Sequence, residues 1–194
     1  MIIETERLYV RKAEDNEKDI NFYYRLWNSG EVMKYVSFPE GLGITKREIK
    51  KILSSYNESA FDKTLIIVEK KAQNIIGECK LGFPNDEKLS ITDVKLLPEY
   101  WGNGYGKEIK KALCHYLFSK TKCEIVKADP NKLNIASQKM QKACGGIKVD
   151  ETFYEAPKNS KIKRNNIHAF VYHIKKENFY RKFPEYKKEN LCIN

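Results

Sequence analysis

The sequence predicts an α/β domain built on a mixed, largely antiparallel central sheet flanked by helices, in the order β-α-α-β-β-β-α-β-α-β-β. Three observations carry that prediction. Leu89–Leu96 reads as a strand, and Ile109, Ala112, Leu113, Tyr116 and Leu117 then recur at helical spacing before a second strand, Glu124–Ala128. That is a β-α-β unit. Leu65–Val68 and Ile75–Leu81 form a hairpin ahead of it, and Ile147–Glu155 with Ile167–Ile174 form another behind it.

Each element has its own local reason. Glu6–Arg11 alternates, with Leu8 and Val10 on one face of a first strand. Ile20, Tyr23, Tyr24 and Trp27 mark an amphipathic helix. Asn28–Gly43 is a connector rich in glycine and aromatics. Thr45-Lys46-Arg47-Glu48 is a capping box, with Ile44 and Ile49 as its hydrophobic staple, and the helix it opens carries Ile49, Ile52, Leu53 and Tyr56 on one side. Lys70–Asn74 turns the first hairpin. After the central unit, Asp129-Pro130-Asn131 is a turn. Asn134 caps a helix through Ala136, Met140 and Ala143 that Gly145-Gly146 stops. The last two strands enclose a basic loop, Pro157–Arg164. One domain over 1–194 is expected, with 175–194 as a charged peripheral tail.

Charge and cysteine usage narrow the classes. The formal net charge is +10. The basic and acidic side chains of residues 1–97 balance, so all the excess lies from residue 98 onward. A basic half suits a polyanionic ligand. A nucleic-acid-binding module is the third class it suggests, but the aromatics keep core periodicity and no nucleic-acid motif is present. Five cysteines, none spaced as CxxC, suit reduced thiols in a cytoplasm better than a disulfide frame or zinc site. His115, His168 and His173 offer no ligand set, so no metal is expected. No apolar run is long enough to cross a membrane, and the N-terminus does not read as a signal peptide.

The stretch that carries chemistry is Leu96-Leu97-Pro98-Glu99-Tyr100-Trp101-Gly102-Asn103-Gly104-Tyr105-Gly106-Lys107. A strand that turns through glycines into a helix start leaves unpaired amides pointing at an anion, and the helix dipole favours negative charge there. A P-loop is a poor fit, because Lys107 is followed by Glu108 rather than a hydroxyl residue. A dinucleotide fingerprint is also a poor fit, because its third glycine falls on Lys107. The third reading fits best. Trp101–Gly106 resembles the coenzyme A loop of the GNAT superfamily of N-acetyltransferases, Gln/Arg-x-x-Gly-x-Gly/Ala, with Trp101 departing from the usual Gln or Arg. Asn134-Ile135-Ala136-Ser137 through Gly145 is similar to that family's second block, and the element order is similar along almost the whole chain. Glu4–Leu8 and Asn28–Val32 look like the Rim-type subgroup that acetylates ribosomal-protein N-termini.

The resemblance implies an acetyl-CoA-dependent transfer to a primary amine, by direct attack in a ternary complex. A peptide or protein N-terminus is favoured as acceptor. A small amine or aminoglycoside is the alternative, and a non-catalytic acyl-CoA-binding domain is a different class. Backbone groups of Leu96 and Leu97 would align the acetyl and pantetheine arm, amides from Gly102, Asn103, Gly104, Tyr105 and Gly106 to Lys107 would take the diphosphate, and Asn134 would bind the arm. The loops Ser29–Gly43 and Ala156–Asn166 would shape the acceptor site, and self-association as a homodimer stays open. An α-amine is about a tenth to a fifth neutral at pH 7 and a lysine under about a thousandth. An α-amine is therefore the easier acceptor where no strong base exists. Asp93 is the first candidate for a base, provided its pKa is raised, and Glu78 the second. For the acid that protonates the leaving thiolate, many relatives use a tyrosine where Gln141 stands, which leaves Ser137 as substitute and Tyr154 and Tyr172 open. Cys144 reads as packing rather than as a nucleophile.

Overall fold

The computed structural model describes residues 1–189; residues 190–194 of the expected tail lie outside the described residues. Strands β1 (Ile3–Glu4), β2 (Leu8–Lys12), β3 (Thr64–Glu69), β4 (Asn74–Leu81), β5 (Leu89–Leu96), β6 (Ile125–Ala128), β7 (Ile147–Tyr154) and β8 (Ile167–Lys175) form one sheet, ordered β1-β2-β3-β4-β5-β6-β8-β7. Every neighbouring pair is antiparallel except β5 and β6, the pair that a helix crossover joins. The predicted fold class is the observed one.

Strand alternation builds two cores. Leu8, Val10, Leu65 and Ile67 face one way, with α4 (Tyr105–Lys120), Val126 and Ile174. Ile66 and Val68 face the other, against α1 (Glu17–Trp27), α2 (Gly30–Met33) and α3 (Lys46–Ser54). The Thr45–Glu48 capping box forms as expected. Asn16 caps α1, and the buried Asp19 in its first turn takes both guanidinium nitrogens of Arg11 at 2.6–2.7 Å, so β2 and α1 are tied by a bidentate pair.

Three local features differ from the sequence reading. β1 is two residues long, too short for any periodic signal. The connector after α1 coils into α2 and a 3-10 turn at Lys34–Val36. The C-terminal segment is not merely peripheral: in α6 (Lys176–Lys182) Phe179 is fully buried against Phe118 of α4, ring centroids 5.5 Å apart, and α7 (Glu185–Glu189) follows.

The feature that positions the site is a change of partner within β5. Leu89–Ile91 pair with Ile125–Lys127 of β6, whereas Thr92–Leu96 pair only with Leu81–Gly77 of β4. Past Ile91 the two parallel strands part, and β5 keeps one open edge. The Gly82 amide bonds the Ile91 carbonyl and the Leu97 amide bonds the Ile76 carbonyl, so odd-numbered residues turn their peptide groups toward β4. Thr92, Val94 and Leu96 therefore turn theirs into the gap.

Candidate active site

Beyond Leu96 the chain makes a 3-10 turn at Pro98–Tyr100 and enters α4 through Gly102 and Gly104, both at φ +79°. That left-handed backbone is what the glycines are needed for. Gly104 is the N-cap of α4, and no amide from Gly102 to Gly106 has an acceptor among the described residues. The expected set narrows at its end, because the Lys107 amide is turned back onto the Gly104 carbonyl at 3.1 Å. Gly106 has another use. A Cβ there would lie 3.4 Å from Met140 Sδ, so the glycine sets how closely α5 (Ile135–Ala143) packs.

The loop is braced from the far end of the chain. Arg7 bonds Glu108 through Nε at 2.7 Å and its terminal nitrogen at 2.6 Å, donates to the Asn103 carbonyl at 3.0 Å, and lies over the Tyr105 ring. Thr5 Oγ1 donates to the same carboxylate at 2.6 Å. Burial pushes the Glu108 carboxyl up, but the bonds from Thr5 and Arg7 outweigh it and hold it below its ordinary value. With the Asn103 carbonyl held inward, the amides around it face out. A cavity of about 840 Å³ lies on that flank of α4, but none of the gap residues of β5 line it.

Two polar groups on the open edge of β5 are taken by the chain's own side chains. Trp101 Nε1 donates to the Leu96 carbonyl at 2.8 Å, and the Val94 amide donates to Asp93 Oδ1 at 2.9 Å. The Leu97 expectation is corrected. Its amide is spent on Ile76 at 2.9 Å, its carbonyl accepts from the Tyr100 amide at 3.0 Å, and its side chain is buried on the α1 side. The Leu96 amide remains directed into the gap.

The candidate carboxylates converge on one lysine. Glu78 and Lys95 sit opposite one another on β4 and β5, and Lys95 Nζ reaches Glu78 Oε1 at 2.9 Å and also Asp93 Oδ2. Glu78, 3% exposed, takes a second bond from Trp27 Nε1 at 2.9 Å. It is locked on both oxygens and shielded from any acceptor. Asp93 is the accessible one, its side chain 45% exposed. Desolvation pulls its pKa up, but the charge and hydrogen bond of Lys95, the Val94 amide and Lys110 together hold it below the ordinary aspartate value. The raised pKa expected of a base is therefore not met. Burial pulls Lys95 down, yet its two carboxylates raise it above an ordinary lysine, so it stays an ammonium.

On α5 the Asn134 Oδ1 caps the Ser137 amide at 3.0 Å, leaving Asn134 Nδ2 and the Ser137 hydroxyl without protein partners among the described residues. Gln141 is buried with its Oε1 unpaired. Tyr172 is buried, whereas Tyr154 donates to Asp129 Oδ2 at 2.6 Å, a bond that with burial pushes its phenol up to about 12. Burial likewise pushes the Cys144 thiol up to about 11, which leaves it inert. Two groups escaped the sequence reading. Asp129 follows β6, level in the parallel register with Asp93 across the gap, and its Oδ1 is buried without a partner. Lys110 is 1% exposed. The Asp-Pro turn hid the first, and a run of lysines at 107, 110 and 111 hid the second among solvated charges.

The loops expected to shape the acceptor site meet over this face. Ser37, at φ +86°, donates from Oγ to the Asn165 carbonyl at 2.6 Å and accepts the Asn165 amide on its own carbonyl at 2.9 Å; Arg164 lies over Phe38 and Lys163 pairs with Glu40. The strap starts at Tyr154, beside Asp129, and its residues 157–166 are exposed.

Residues 7–147 match the family model described as acetyltransferase (GNAT) domain. A relative named uncharacterized N-acetyltransferase p20, from Bacillus licheniformis, is 24% identical over 138 residues, 70% of this chain and 76% of the relative. Among solved structures, a GNAT-family acetyltransferase from Bacillus anthracis superposes with a TM-score of 0.74 at 21% identity, covering 91% of this chain and 99% of that one. Spermidine N-acetyltransferase from Vibrio cholerae, in complex with CoA and spermine, gives 0.73 at 15% identity over 90% and 99%. Among the described residues no helix is long and apolar enough to cross a membrane.

Proposed function

The chain belongs to the GNAT family of N-acetyltransferases, and on that premise we propose that it moves an acetyl group from acetyl-CoA to the α-amine of a peptide or protein. The observation that carries the coenzyme half of this reading is the row of unpaired amides from Gly102 to Gly106 at the mouth of the β5–β6 gap. A diphosphate is the ligand whose charge and oxygens match them. Asn134 Nδ2 and the Leu96 amide are then the free donors available to the pantetheine arm. When bound, the coenzyme supplies an activated thioester; the chain supplies its placement.

The acceptor half rests on the absence of a strong base among the described candidates. Glu78 is locked and Asp93 is held low. An amine that arrives largely protonated gets little help here, which favours the α-amine. Asp93 and Asp129, on the two walls of the gap, are the carboxylates that orient it. The exposed strap carries Lys158, Lys161, Lys163 and Arg164 and disfavours a polycation. The likeness of Glu4–Leu8 and Asn28–Val32 to the ribosomal-protein N-terminus subgroup supports the same acceptor.

The test is thiol release from acetyl-CoA with an acceptor panel at pH 7. A peptide with a free α-amine is expected to exceed the same peptide N-blocked and offering only a lysine by at least about a hundredfold, the ratio of their neutral fractions. Preferential use of spermine or of the lysine side chain would contradict the acceptor assignment. Trp101→Phe keeps the ring but frees the Leu96 carbonyl for the coenzyme arm. One recovered hydrogen bond, about 1 kcal/mol, predicts coenzyme binding about fivefold tighter in calorimetry; weaker binding would mean that the indole itself holds the ligand.

A further inference from the structure

Lys110 is the least explained charge in the molecule. It lies on α4, five residues beyond Tyr105 and so about 7–8 Å along the helix from the unpaired amides. Its side chain is 1% exposed and Nζ donates to Thr92 Oγ1, its one hydrogen-bond partner among the described residues. No carboxylate among them reaches ion-pair distance. Lysine is almost never fully buried without a counter-charge, and an unpaired ammonium is costly to hold there. Thr92 is the first residue of β5 to lose contact with β6, so the ammonium stands at the floor of the gap, on the α4 side. Its charge is felt by Asp93 on β5, the neighbouring Cys114 on α4 and Cys144 at the end of α5. A site with a buried cation and no resident anion is shaped for a guest that brings or develops negative charge.

We propose that Lys110 holds its positive charge beneath the sulfur of acetyl-CoA and stabilises the thiolate as it leaves, a task for which Gln141 and the Ser137 hydroxyl bring no charge. The assignment rests on the acetyl-CoA reading above. The lone pair of the acceptor nitrogen forms the new C–N bond, the C–S bond breaks and its electron pair stays on sulfur. The negative charge that develops on that sulfur is offset by the Lys110 ammonium, which keeps its proton. The acceptor nitrogen loses one proton to solvent, and the thiolate takes one from solvent as the coenzyme departs. Atoms and charge balance with no further reactant. Thr92 Oγ1 is the positioning group, aiming Nζ from the open edge of β5.

The experiment follows the thiol of bound coenzyme A by its thiolate absorbance as pH rises, in the wild-type chain and in Lys110→Met. The protein's own described thiols are a quiet background, since Cys123 and Cys144 are both pushed up to about 11 by burial and Cys79 and Cys114 higher still. A neighbouring ammonium favours the thiolate, so the bound thiol should titrate at least about one pH unit lower in wild type than in the variant. The kcat of Lys110→Met should fall at least about a hundredfold, while its coenzyme affinity stays near wild type. Thr92→Val, which removes only the aiming bond, should show both effects in smaller measure, and carries the test if the methionine variant misfolds. Equal thiol midpoints in wild type and variant overturn the role of Lys110 and leave the acetyltransferase reading standing. Failure of the wild-type chain to bind coenzyme A at all overturns that reading instead.

Discussion

Gly104→Val is expected to lower coenzyme A affinity by about a hundredfold or more while the domain stays folded. Gly104 sits at φ +79°, a conformation a β-branched residue adopts only under strain. A Cβ would meet only an Arg7 terminal nitrogen, at 3.6 Å, so the fold itself has room for the side chain. The loss falls on the ligand. Relaxing φ swings the amides of Gly104 and Tyr105 away from their common focus, and branched methyls stand where the diphosphate oxygens belong. Losing two charge-assisted hydrogen bonds of about 1.5 kcal/mol each gives about 3 kcal/mol, or two decades in Kd. Calorimetric titration checks it, with thermal unfolding as the control for folding. Undiminished affinity in a folded variant would remove the loop from coenzyme binding.

Lys95→Met is expected to cost about 3–5 kcal/mol of stability at neutral pH, because it leaves Glu78 buried at 3% exposure with only the Trp27 N–H for company. For a domain of this size that is a fall in Tm of about 10 °C. The pH dependence carries the diagnostic sign. In the wild-type chain the Asp93 pKa is depressed, so its contribution is present above the unfolded value of about 3.9 and is lost as pH falls through the folded value. The Lys95 pKa is raised, so its contribution is present below about 10.4 and is lost as pH rises through the folded value. Between those limits the wild-type network gives no slope. In the variant the uncompensated Glu78 takes up a proton more readily when folded than when unfolded, so stability should rise as pH is lowered toward the unfolded glutamate value. Unfolding midpoints measured from pH 5 to 8 decide it. An unchanged Tm at pH 7, or a variant that loses stability on acidification over that range, would show that Lys95 is not what offsets the burial of Glu78.

What could be read from the sequence were features whose causes lie within a few residues of their effects. The capping box at Thr45–Glu48, the Asn134 cap and the glycine-led start of α4 are all local chemistry, and they form as read. Strand alternation put Leu8 and Val10 on one face, and both lie in one core; the split of Leu65 and Ile67 from Ile66 and Val68 between two cores is seen only in the fold. What escaped depends on distant residues meeting. Leu97 reads like Leu96, and only pairing with Ile76 shows that its amide is spent. The Asp93 sequence context is that of a strand-surface carboxylate; Lys95 and Lys110 are what hold its pKa down. Lys110 shares the buried face of α4 with Leu113, Cys114 and Leu117 at helical spacing, but a lysine among lysines reads as solvated until the helix is seen seated on the sheet. The Arg7–Glu108 brace joins residues about a hundred positions apart, and Phe179 is core only because α6 folds back beneath α4.

The most direct test is to follow the backbone amides by ¹⁵N–¹H correlation spectra during titration with coenzyme A. Gly102 to Gly106, with no internal acceptor, should move downfield together and saturate at one ratio, while the Lys107 amide, already bonded to Gly104, moves less. Saturable coenzyme binding that leaves those five resonances in place, with the shifts gathered elsewhere on the sheet, would contradict the anion-binding role on which the acetyl-transfer account is built.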